Sequence, residues 1–234
     1  VTLLGVSTAT TVALFRFPGQ RFFEWALLLP MAMPAYVLAY AYTDALQFSG
    51  GLQTALRAAL GARGALWPDV RSLGGAVLLF TLCLYPYVYL LTRAALGERA
   101  VQMMEAARLL GAGLRRRIFK VALPLARPAV MAGVALALME TLADYGVGAY
   151  FGLTTFTTGI YRAWLSMNDA TAAAQLASML LLLVALLLAL ERRAQARLRF
   201  ATSRAGALNS GEARPVQLAG RMAAAAALLC ALPV

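Results

Sequence analysis

The chain has 234 residues with a mean hydropathy of +0.72, and 62% of its residues are hydrophobic while only 13% are charged. Because soluble domains are roughly 45–50% apolar and about 25% charged, this composition predicts an integral membrane protein, and the net charge of +11 then concerns sidedness in a bilayer and not nucleic-acid binding. The absence of histidine excludes Ser-His catalysis and imidazole metal sites, and the absence of a GxxxxGK(S/T) loop means that the chain cannot hydrolyse ATP alone.

Apolar runs of about 20 residues, the length needed to cross roughly 30 Å of hydrocarbon, predict an all-α bundle of membrane-spanning helices. We expect spans near residues 1–15, 24–45, 72–92, 128–147 and 170–190, the first of them truncated. Residues 1–200 then form a transmembrane domain, residues 201–215 a cytoplasmic linker, and residues 216–234 the start of a further transmembrane helix. Both ends lie in apolar runs, which indicates a piece of a longer chain.

The basic residues predict the sidedness of these spans, because Lys and Arg collect on the cytoplasmic side. With the loop from Arg16 to Arg21 in the cytoplasm, alternation of the spans puts 17 of the 21 basic residues on that side. The opposite side keeps four. The segment between the third and fourth spans is therefore expected to be cytoplasmic. Cys83 and Cys230 both lie in apolar runs, where we expect packing roles.

This cytoplasmic segment, residues 92–127, is longer than a simple connection requires. Glu98–Leu110 consists largely of helix-forming residues, and Gly111 allows a bend at low steric cost. Leu114–Val121 resumes a helix, which Pro124 is expected to end. The pattern therefore predicts two short helices joined by a bend.

The same segment carries an apolar surface and a basic one. Ala106 and Ala107 are small enough to let another protein approach closely, and the adaptable apolar residues nearby are Met103, Met104, Leu109 and Leu110. The basic residues Arg115–Arg117 and Lys120 indicate instead a helix on the membrane surface, attracted to anionic lipid. The two interpretations are compatible.

The spacing in this segment, Glu105-Ala-Ala-x-x-x-Gly111, nine residues, then Val121-x-Leu123-Pro124, resembles the EAA loop of binding-protein-dependent ABC importer permeases. Val121 stands in place of the usual Ile. In that family the loop forms a coupling helix that sits in a groove of the cytoplasmic ATPase dimer. The resemblance implies ATPase-coupling roles for Glu105, Ala106, Ala107, Gly111, Val121, Leu123 and Pro124. It also implies that ATP and Mg²⁺ are bound by the partner ATPase and that this chain binds no cofactor.

Two further stretches resemble the ferric-iron subgroup of these permeases: Phe17–Arg21 followed by Leu29–Tyr36, and Leu142–Gly146 followed by Tyr150–Arg162. Members of the subgroup are typically two fused permease halves in the bacterial inner membrane. The resemblance implies that this chain is the N-terminal half, with a second permease half and a periplasmic binding protein as partners. Ferric iron is then the preferred solute, and thiamine, polyamines and inorganic anions are the alternatives.

Two acidic residues are candidates for the translocation path. Glu140 and Asp144 stand four apart and are expected to share one face of a helix. A charge at the bilayer centre costs about 2.5–3.5 kcal/mol on insertion scales, so such a residue usually faces a polar interior. The alternatives are an interhelical hydrogen bond for Glu140 and an interfacial position for Asp144. In a rival function, an ion-gradient-driven secondary transporter, both carboxylates form the proton or cation relay.

Tyrosines and prolines of the second span complete the candidate path. Tyr36 and Tyr40 supply oxygen atoms of the kind that hard cations prefer. Pro30 and Pro34 remove backbone donors, and broken helices line pathways in transporters. An aromatic belt and a packing kink are the corresponding alternatives. No residue is assigned to a metal site, and the outer loops 47–71 and 150–169 are the expected landing surface for the binding protein.

Overall fold

The computed structural model describes residues 1–202, 216–217 and 220–233, and these residues are mostly helical. The α-helices are α1 Thr2–Leu14, α2 Gln20–Ala26, α3 Ala35–Leu46, α4 Gly51–Leu60, α5 Leu73–Ala95, α6 Glu98–Leu109, α7 Leu114–Arg117, α8 Leu123–Ala143, α9 Gly146–Phe151, α10 Phe156–Tyr161, α11 Ala170–Thr202 and α12 Arg221–Ala231. A 3-10 turn covers Leu29–Ala32, and π-helical turns cover Ile118–Ala122 and Arg162–Ser166. Two short strands, β1 Phe15–Arg16 and β2 Val216–Gln217, pair in parallel. The all-α prediction is confirmed, apart from this pair.

Within the described residues, three helices are long and apolar enough to cross a membrane: Leu73–Ala95, Leu114–Ala143 and Ala170–Arg193. A fourth span results if Gln20–Ala32 and Ala35–Leu60 are counted together, and the apolar helices α1 and α12 are shorter. The prediction of a multispan helical protein is therefore confirmed. Helix α11 continues to Thr202, and residues 203–215 of the predicted linker lie outside the described residues.

The expected second span, 24–45, is not one continuous helix. Helix α2 ends at Ala26, and α3 begins at Ala35 after a 3-10 turn. Pro30 cannot donate a backbone hydrogen bond, and Pro34 stands at the N-cap of α3 with extended dihedral angles, φ −58° and ψ 141°. The two prolines therefore break the helix, and do not merely kink it.

The expected end of a helix at Pro124 is wrong. Leu114–Ala143 is long enough to count as one helical span that includes the π-helical turn Ile118–Ala122. Pro124 is the second residue of α8 and follows the π-helical turn directly, and such a local turn accommodates the N–H that proline lacks. The helix also ends earlier than the expected limit of 147, at Ala143.

The chain divides into two compact units. Unit 1 comprises Val1–Pro30, Leu84–Leu138 and Ala185–Val234, and unit 2 comprises Met31–Cys83 and Met139–Val184. Cys83 of unit 2 and Cys230 of unit 1 are both buried, as expected for packing residues.

The core of unit 1 is built around α5. A Cβ atom on Gly5 of α1 would lie 2.7 Å from the Cβ atom of Val88, and a Cβ atom on Gly133 of α8 would lie 2.7 Å from the Cα atom of Val88. Helices α1 and α8 therefore approach α5 closely because glycine stands at both contacts, an arrangement typical of membrane helices. The surrounding core includes the fully buried Tyr85 and Tyr89.

In unit 2, several side chains bond to backbone carbonyls at the end of α3 and just after it. Trp67 Nε1 and Gln53 Nε2 both donate to the carbonyl oxygen of Leu46, at 2.7 and 3.2 Å. Arg57 donates to the carbonyl oxygen of Phe48 at 2.7 Å and stacks over the Phe48 ring at 3.8 Å. These contacts satisfy backbone groups at the end of α3, where the helix leaves its last carbonyls without partners.

Candidate functional site

Helix α6 of unit 1 presents one face to the core. Ala100 and Met104, four residues apart, are buried in a cluster with Ala122 of the π-helical turn and Ala126 of α8. This spacing places both side chains on one stripe of the helix. Met104, which the sequence analysis groups with the apolar docking surface, therefore belongs to the core instead.

The bend after α6 is a Schellman helix end. The N–H of Gly111 donates to the carbonyl of Arg108 at 2.9 Å, and the N–H of Ala112 donates to the carbonyl of Ala107 at 3.0 Å. Gly111 has φ +80°, and a Cβ atom there would meet no atom within 4 Å. Glycine is thus favoured by backbone conformation and not by lack of space. The glycine of the motif therefore has a defined structural role, which is to end α6 and turn the chain.

The opposite face of α6 is apolar and exposed. Leu109 and Leu110 are 90% and 88% exposed, and Met103 and Ala106 are exposed beside them. We call these four residues the α6 patch. Ala107 and Glu105 are half-buried between the patch and the core. Outside a membrane, clustered exposed apolar side chains are typical of a surface that binds a partner.

The second half of the motif lies where α8 begins. Val121 is in the π-helical turn, and Leu123 and Pro124 open α8; all three are half-buried. They follow Ile118, which packs against the same core cluster as Ala100 and Met104 of α6. The two halves of the motif therefore meet around one core, with the exposed residues in the first half.

The basic residues of this segment differ in exposure. Arg115, Arg116 and Lys120 are exposed, whereas Arg117 is buried and its Nε atom has no hydrogen-bond partner in the structure. Of these four residues, the exposed three are available to a membrane surface or to a partner protein.

In unit 2, the candidate tyrosines lie beside α9. Tyr36 and Tyr40 are both exposed and four residues apart on α3. A Cβ atom on Gly146 would lie 2.8 Å from the Cβ atom of Tyr36, and the ring of Tyr40 lies 4.2 Å from that of Tyr150. The structure therefore brings both tyrosines to the short helix that follows Asp144.

Asp144 does not share a helix with Glu140, contrary to the prediction. Helix α8 ends at Ala143, and Asp144 Oδ2 accepts hydrogen bonds from the N–H groups of Val147 and Gly148, at 3.0 and 3.3 Å. Its carbonyl oxygen accepts a bond of 2.6 Å from the hydroxyl of Thr157. Aspartate competes for local backbone donors in this way, which favours a helix end over a helix interior. The carboxylate is therefore used to begin α9.

Glu140 lies in the last turn of α8 and is exposed. Within the described part of the chain, its carboxylate makes no hydrogen bond or ion pair. Glu140 and Pro34 belong to unit 2 with the tyrosines, whereas Pro30 ends the first segment of unit 1. No group of three or more His, Cys, Asp or Glu side chains able to hold a metal occurs among the described residues.

Arg71 is a residue of this region that no sequence motif indicated. Its guanidinium lies 4.8 Å from the centre of the Tyr150 ring and donates a bond of 2.8 Å to the Tyr150 carbonyl oxygen, 79 residues away. The available signal was its position, since Arg71 is one of four basic residues expected on the outer side. Arg71, Tyr150 and Tyr40 form a stack that we call the α9 stack.

Comparison with known proteins identifies the family. Residues 2–200 match the model of the family described as binding-protein-dependent transport system inner membrane component. The chain is 30% identical over 147 residues to the molybdenum transport system permease protein ModB of Escherichia coli K12, covering 63% of this chain and 62% of that protein. It is 28% identical over 198 residues to the putative 2-aminoethylphosphonate permease PhnU of Salmonella paratyphi A, covering 83% and 68%.

A third relative is the Fe(3+)-transport system permease protein FbpB 2 of Haemophilus influenzae, with 26% identity over 171 residues, 73% of this chain and 30% of that protein. The chain thus spans about three fifths of the length of the molybdenum permeases and less than a third of the iron permease. Because the family match covers most of the chain and the helices are apolar and long, the protein is a multi-pass inner membrane protein. The chain belongs to the family of binding-protein-dependent transport system inner membrane components.

Proposed function

We propose that the chain is part of an ATP-driven importer and passes a solute inward when a separate ATPase dimer, bound at the α6 patch, closes on ATP and Mg²⁺. The observation that carries this proposal is the α6 patch itself. Exposed Leu109 and Leu110 stand on a helix whose other face is fixed in the core and whose end is turned by Gly111. An apolar surface of this kind on a rigid support needs a partner.

The residues of the motif contribute to this surface in different ways. Ala106 is exposed and small, so a groove of the ATPase can approach the helix closely at that point. Glu105 and Ala107 lie half-buried at its edge. Val121, Leu123 and Pro124 lie at the start of α8, where Ala122 and Ala126 pack in one cluster with α6. A displacement of α6 would therefore act directly on a membrane span. Orientation follows from the basic residues, which favour a cytoplasmic position for the loop.

The preferred solute is ferric iron, delivered by a periplasmic binding protein at the outer loops 47–71 and 150–169. The resemblance of Leu29–Tyr36 and Tyr150–Arg162 to the iron subgroup supports this choice, and tyrosine oxygens of Tyr36 and Tyr40 suit a hard cation. We place Glu140 on the path, because an exposed carboxylate on a membrane helix favours a polar surrounding over lipid. A second permease half, fused or separate, supplies the other wall.

Oxyanion transport is the second candidate. The relatives include permeases named for molybdenum, 2-aminoethylphosphonate and sulfate. Arg71, exposed in unit 2, is the kind of group that an anion meets favourably. Uptake of radiolabelled ferric iron and molybdate by the complete importer in proteoliposomes separates the two solutes.

The test of the coupling site is Leu109→Asp in the complete permease, with Leu60→Asp as its matched control. Both leucines end a helix and are exposed, at 90% and 69%, but Leu60 is expected on the outer side. We expect Leu109→Asp to lower co-purification of the ATPase at least tenfold and Leu60→Asp to leave it unchanged. Equal ATPase recovery from both variants contradicts the proposed site. Uptake under an ion gradient without ATPase supports the secondary transporter instead.

A further inference from the structure

Three side chains of α5 contact the C-terminal end of the short helix α2. Tyr85, Tyr89 and Arg93 are spaced four residues apart, so they form one stripe on α5. The Tyr85 hydroxyl donates to the carbonyl oxygen of Leu27 at 2.8 Å, and the Tyr89 hydroxyl donates to that of Glu24 at 3.3 Å. Arg93 Nη2 lies 2.9 Å from Glu24 Oε2, in an ion pair. All five residues belong to unit 1.

These bonds satisfy the backbone where α2 breaks. In a continuing α-helix the N–H of Leu28 would donate to Glu24, but it donates to the carbonyl of Trp25 instead, at 2.9 Å. Pro30, three residues after Leu27, has no N–H to donate to the Leu27 carbonyl in the 3-10 turn. The two tyrosine hydroxyls donate to the carbonyls of Glu24 and Leu27, each of which loses a backbone donor at the break. A buried carbonyl without a hydrogen bond costs free energy. The broken end of α2 is thus attached to α5.

The contacts of the two tyrosines are buried, whereas the ion pair of Arg93 is partly exposed to solvent. Tyr85 and Tyr89 are fully buried. The side chains of Arg93 and Glu24 are 33% and 26% exposed, and a cavity of about 370 Å³ lies beside them, lined by both residues and by Gly97 among others. An ion pair at a partly solvated site can break and re-form at modest cost. The tyrosine contacts near the break in α2 are therefore stable, and the ion pair nearer to α6 can open and close.

The same stripe ends close to the coupling helix. Helix α5 finishes at Ala95, two residues after Arg93, and α6 begins at Glu98 with Gly97 as its N-cap. Leu96 between them is buried in the core cluster that holds α6. Arg93 thus lies only about one helical turn from α6, so a displacement of α6 would move Arg93 as well.

We infer that Tyr85, Tyr89 and Arg93 form a strut that carries movement of α6 to the broken end of α2, with the Glu24–Arg93 ion pair as the positioning contact for the transport step. The inference rests on the proposed function, because it gives residues to the link between ATP hydrolysis and the membrane path. Pro30 and Pro34 follow directly after the end of α2 that the strut holds. None of the strut residues belongs to the motif that indicates the coupling loop.

The experiment measures ATP hydrolysis and solute uptake in the same proteoliposomes, with the complete permease, its ATPase and its binding protein. The variants are Glu24→Gln, Arg93→Gln, both together, and the reversal Glu24→Arg with Arg93→Glu. We expect each single variant to lower the solute taken up per ATP about tenfold, with ATPase co-purification unchanged. The double neutral variant should be no worse than either single one, and the reversal should recover to within about threefold of wild type.

Two further variants make the test specific. Arg21→Gln neutralises an exposed arginine on the same helix α2, outside the strut, and should leave uptake per ATP unchanged. Tyr89→Phe keeps the buried ring and removes only the hydroxyl that bonds Glu24, and should lower uptake per ATP about threefold.

The outcomes separate three cases. Single variants that lose ATPase assembly and uptake in parallel, at a constant ratio of solute to ATP, overturn the inference and indicate a purely structural contact. Wild-type ratios in Glu24→Gln and Arg93→Gln, or a reversal no better than the singles, also overturn it while the proposed function stands. Wild-type uptake that needs no ATPase overturns the proposed function, and the inference with it.

Discussion

Units 1 and 2 hold their candidate functional residues by different means. In unit 1, α6 is fixed by apolar packing of Ala100 and Met104, and the α6 patch is exposed. In unit 2, Tyr36 and Tyr40 lie on an exposed face, and the neighbouring α9 begins on hydrogen bonds from Asp144. Apolar packing therefore positions α6 in unit 1, whereas hydrogen bonds position the start of α9 in unit 2.

This difference bears on how each unit would act. A helix held by close packing moves as a body, because a dense core does not deform gradually. Short helices held by single hydrogen bonds can rearrange locally when a solute or a binding protein arrives, since each bond contributes only about 0.5–1.5 kcal/mol net. Unit 1 is thus suited to transmitting a displacement and unit 2 to adapting to what it contacts. Single substitutions in each unit test this contrast.

The largest effect is expected at the contact between α8 and α5 in unit 1. In Gly133→Leu the new side chain would start 2.7 Å from the Cα atom of Val88 and 3.0 Å from the Tyr87 carbonyl oxygen, both backbone atoms that cannot turn away. We expect a loss of about 3 kcal/mol, since overpacking costs about 1–3 kcal/mol or more. This loss of stability is measured by thermal unfolding in detergent, with gel filtration as the readout. Gly64→Leu is the control, because a Cβ atom there meets nothing within 4 Å; equal stability of the two variants argues against a packed core.

A smaller and local effect is expected at the start of α9 in unit 2. Asp144→Ala removes the acceptor of the Val147 and Gly148 N–H groups, and loss of such a bond costs about 1–2 kcal/mol. Asp144→Asn, which keeps an oxygen acceptor, should lose less. Hydrogen exchange should rise at residues 146–151 in Asp144→Ala and stay unchanged in α6. A rise that extends to α6 would show that the two units are not stabilised separately.

The bend of the coupling segment allows a matched pair of glycine variants. Gly111→Ala puts a side chain at φ +80°, which costs about 1–2 kcal/mol for an L-residue. Gly113→Ala should cost almost nothing, because φ is −63° there and the space is open. ATPase affinity, measured by titration into the detergent-solubilised permease, should fall about fivefold to thirtyfold only for Gly111→Ala. Equal affinities would mean that the bend is not required for ATPase binding.

The smallest effect is expected in the α9 stack. Arg71→Gln removes a cation from the Tyr150 ring and a bond to its carbonyl, and an exposed cation–π contact contributes about 0.5–1 kcal/mol. Hydrogen exchange at Tyr150 should increase modestly, with no change in ATPase affinity. Arg63→Gln, another exposed arginine expected on the outer side, is the control. An effect of Arg71→Gln on ATPase affinity would contradict the separate behaviour of unit 2.

Hydropathy predicted the spans of α5 and α11 within a few residues, because long apolar helices are a property of local composition. The helix ends were less predictable. Pro124 ends a helix by propensity, yet a π-helical turn just before it lets α8 continue. Asp144 has the spacing of a helical partner for Glu140, but its carboxylate finds the donors of α9. In both places the alternative depends on neighbours that spacing alone does not describe.

Single residues of the segment from Glu105 to Pro124 show the same difference between what spacing predicts and what packing decides. The spacing from Glu105 to Pro124 was enough to indicate the family, and the residues 2–200 matched to it confirm that level. Which of its residues face a partner was not evident, since Met104 and Leu109 are equally apolar and only packing separates them. Exposure of a helical stripe depends on what other helices cover, which is a tertiary property.

Hydropathy, charge bias and motif spacing act over a few tens of residues, and they were enough to predict the membrane class, the approximate spans and the family. The packing of the helices decides where α2 ends and which side chains bond the carbonyls at its broken end. Tyr85 and Tyr89 bond residues 58 and 65 positions away. Partners so distant meet only when helices pack, and Gly133 likewise allows α8 to approach α5 closely at a contact that spacing alone does not predict.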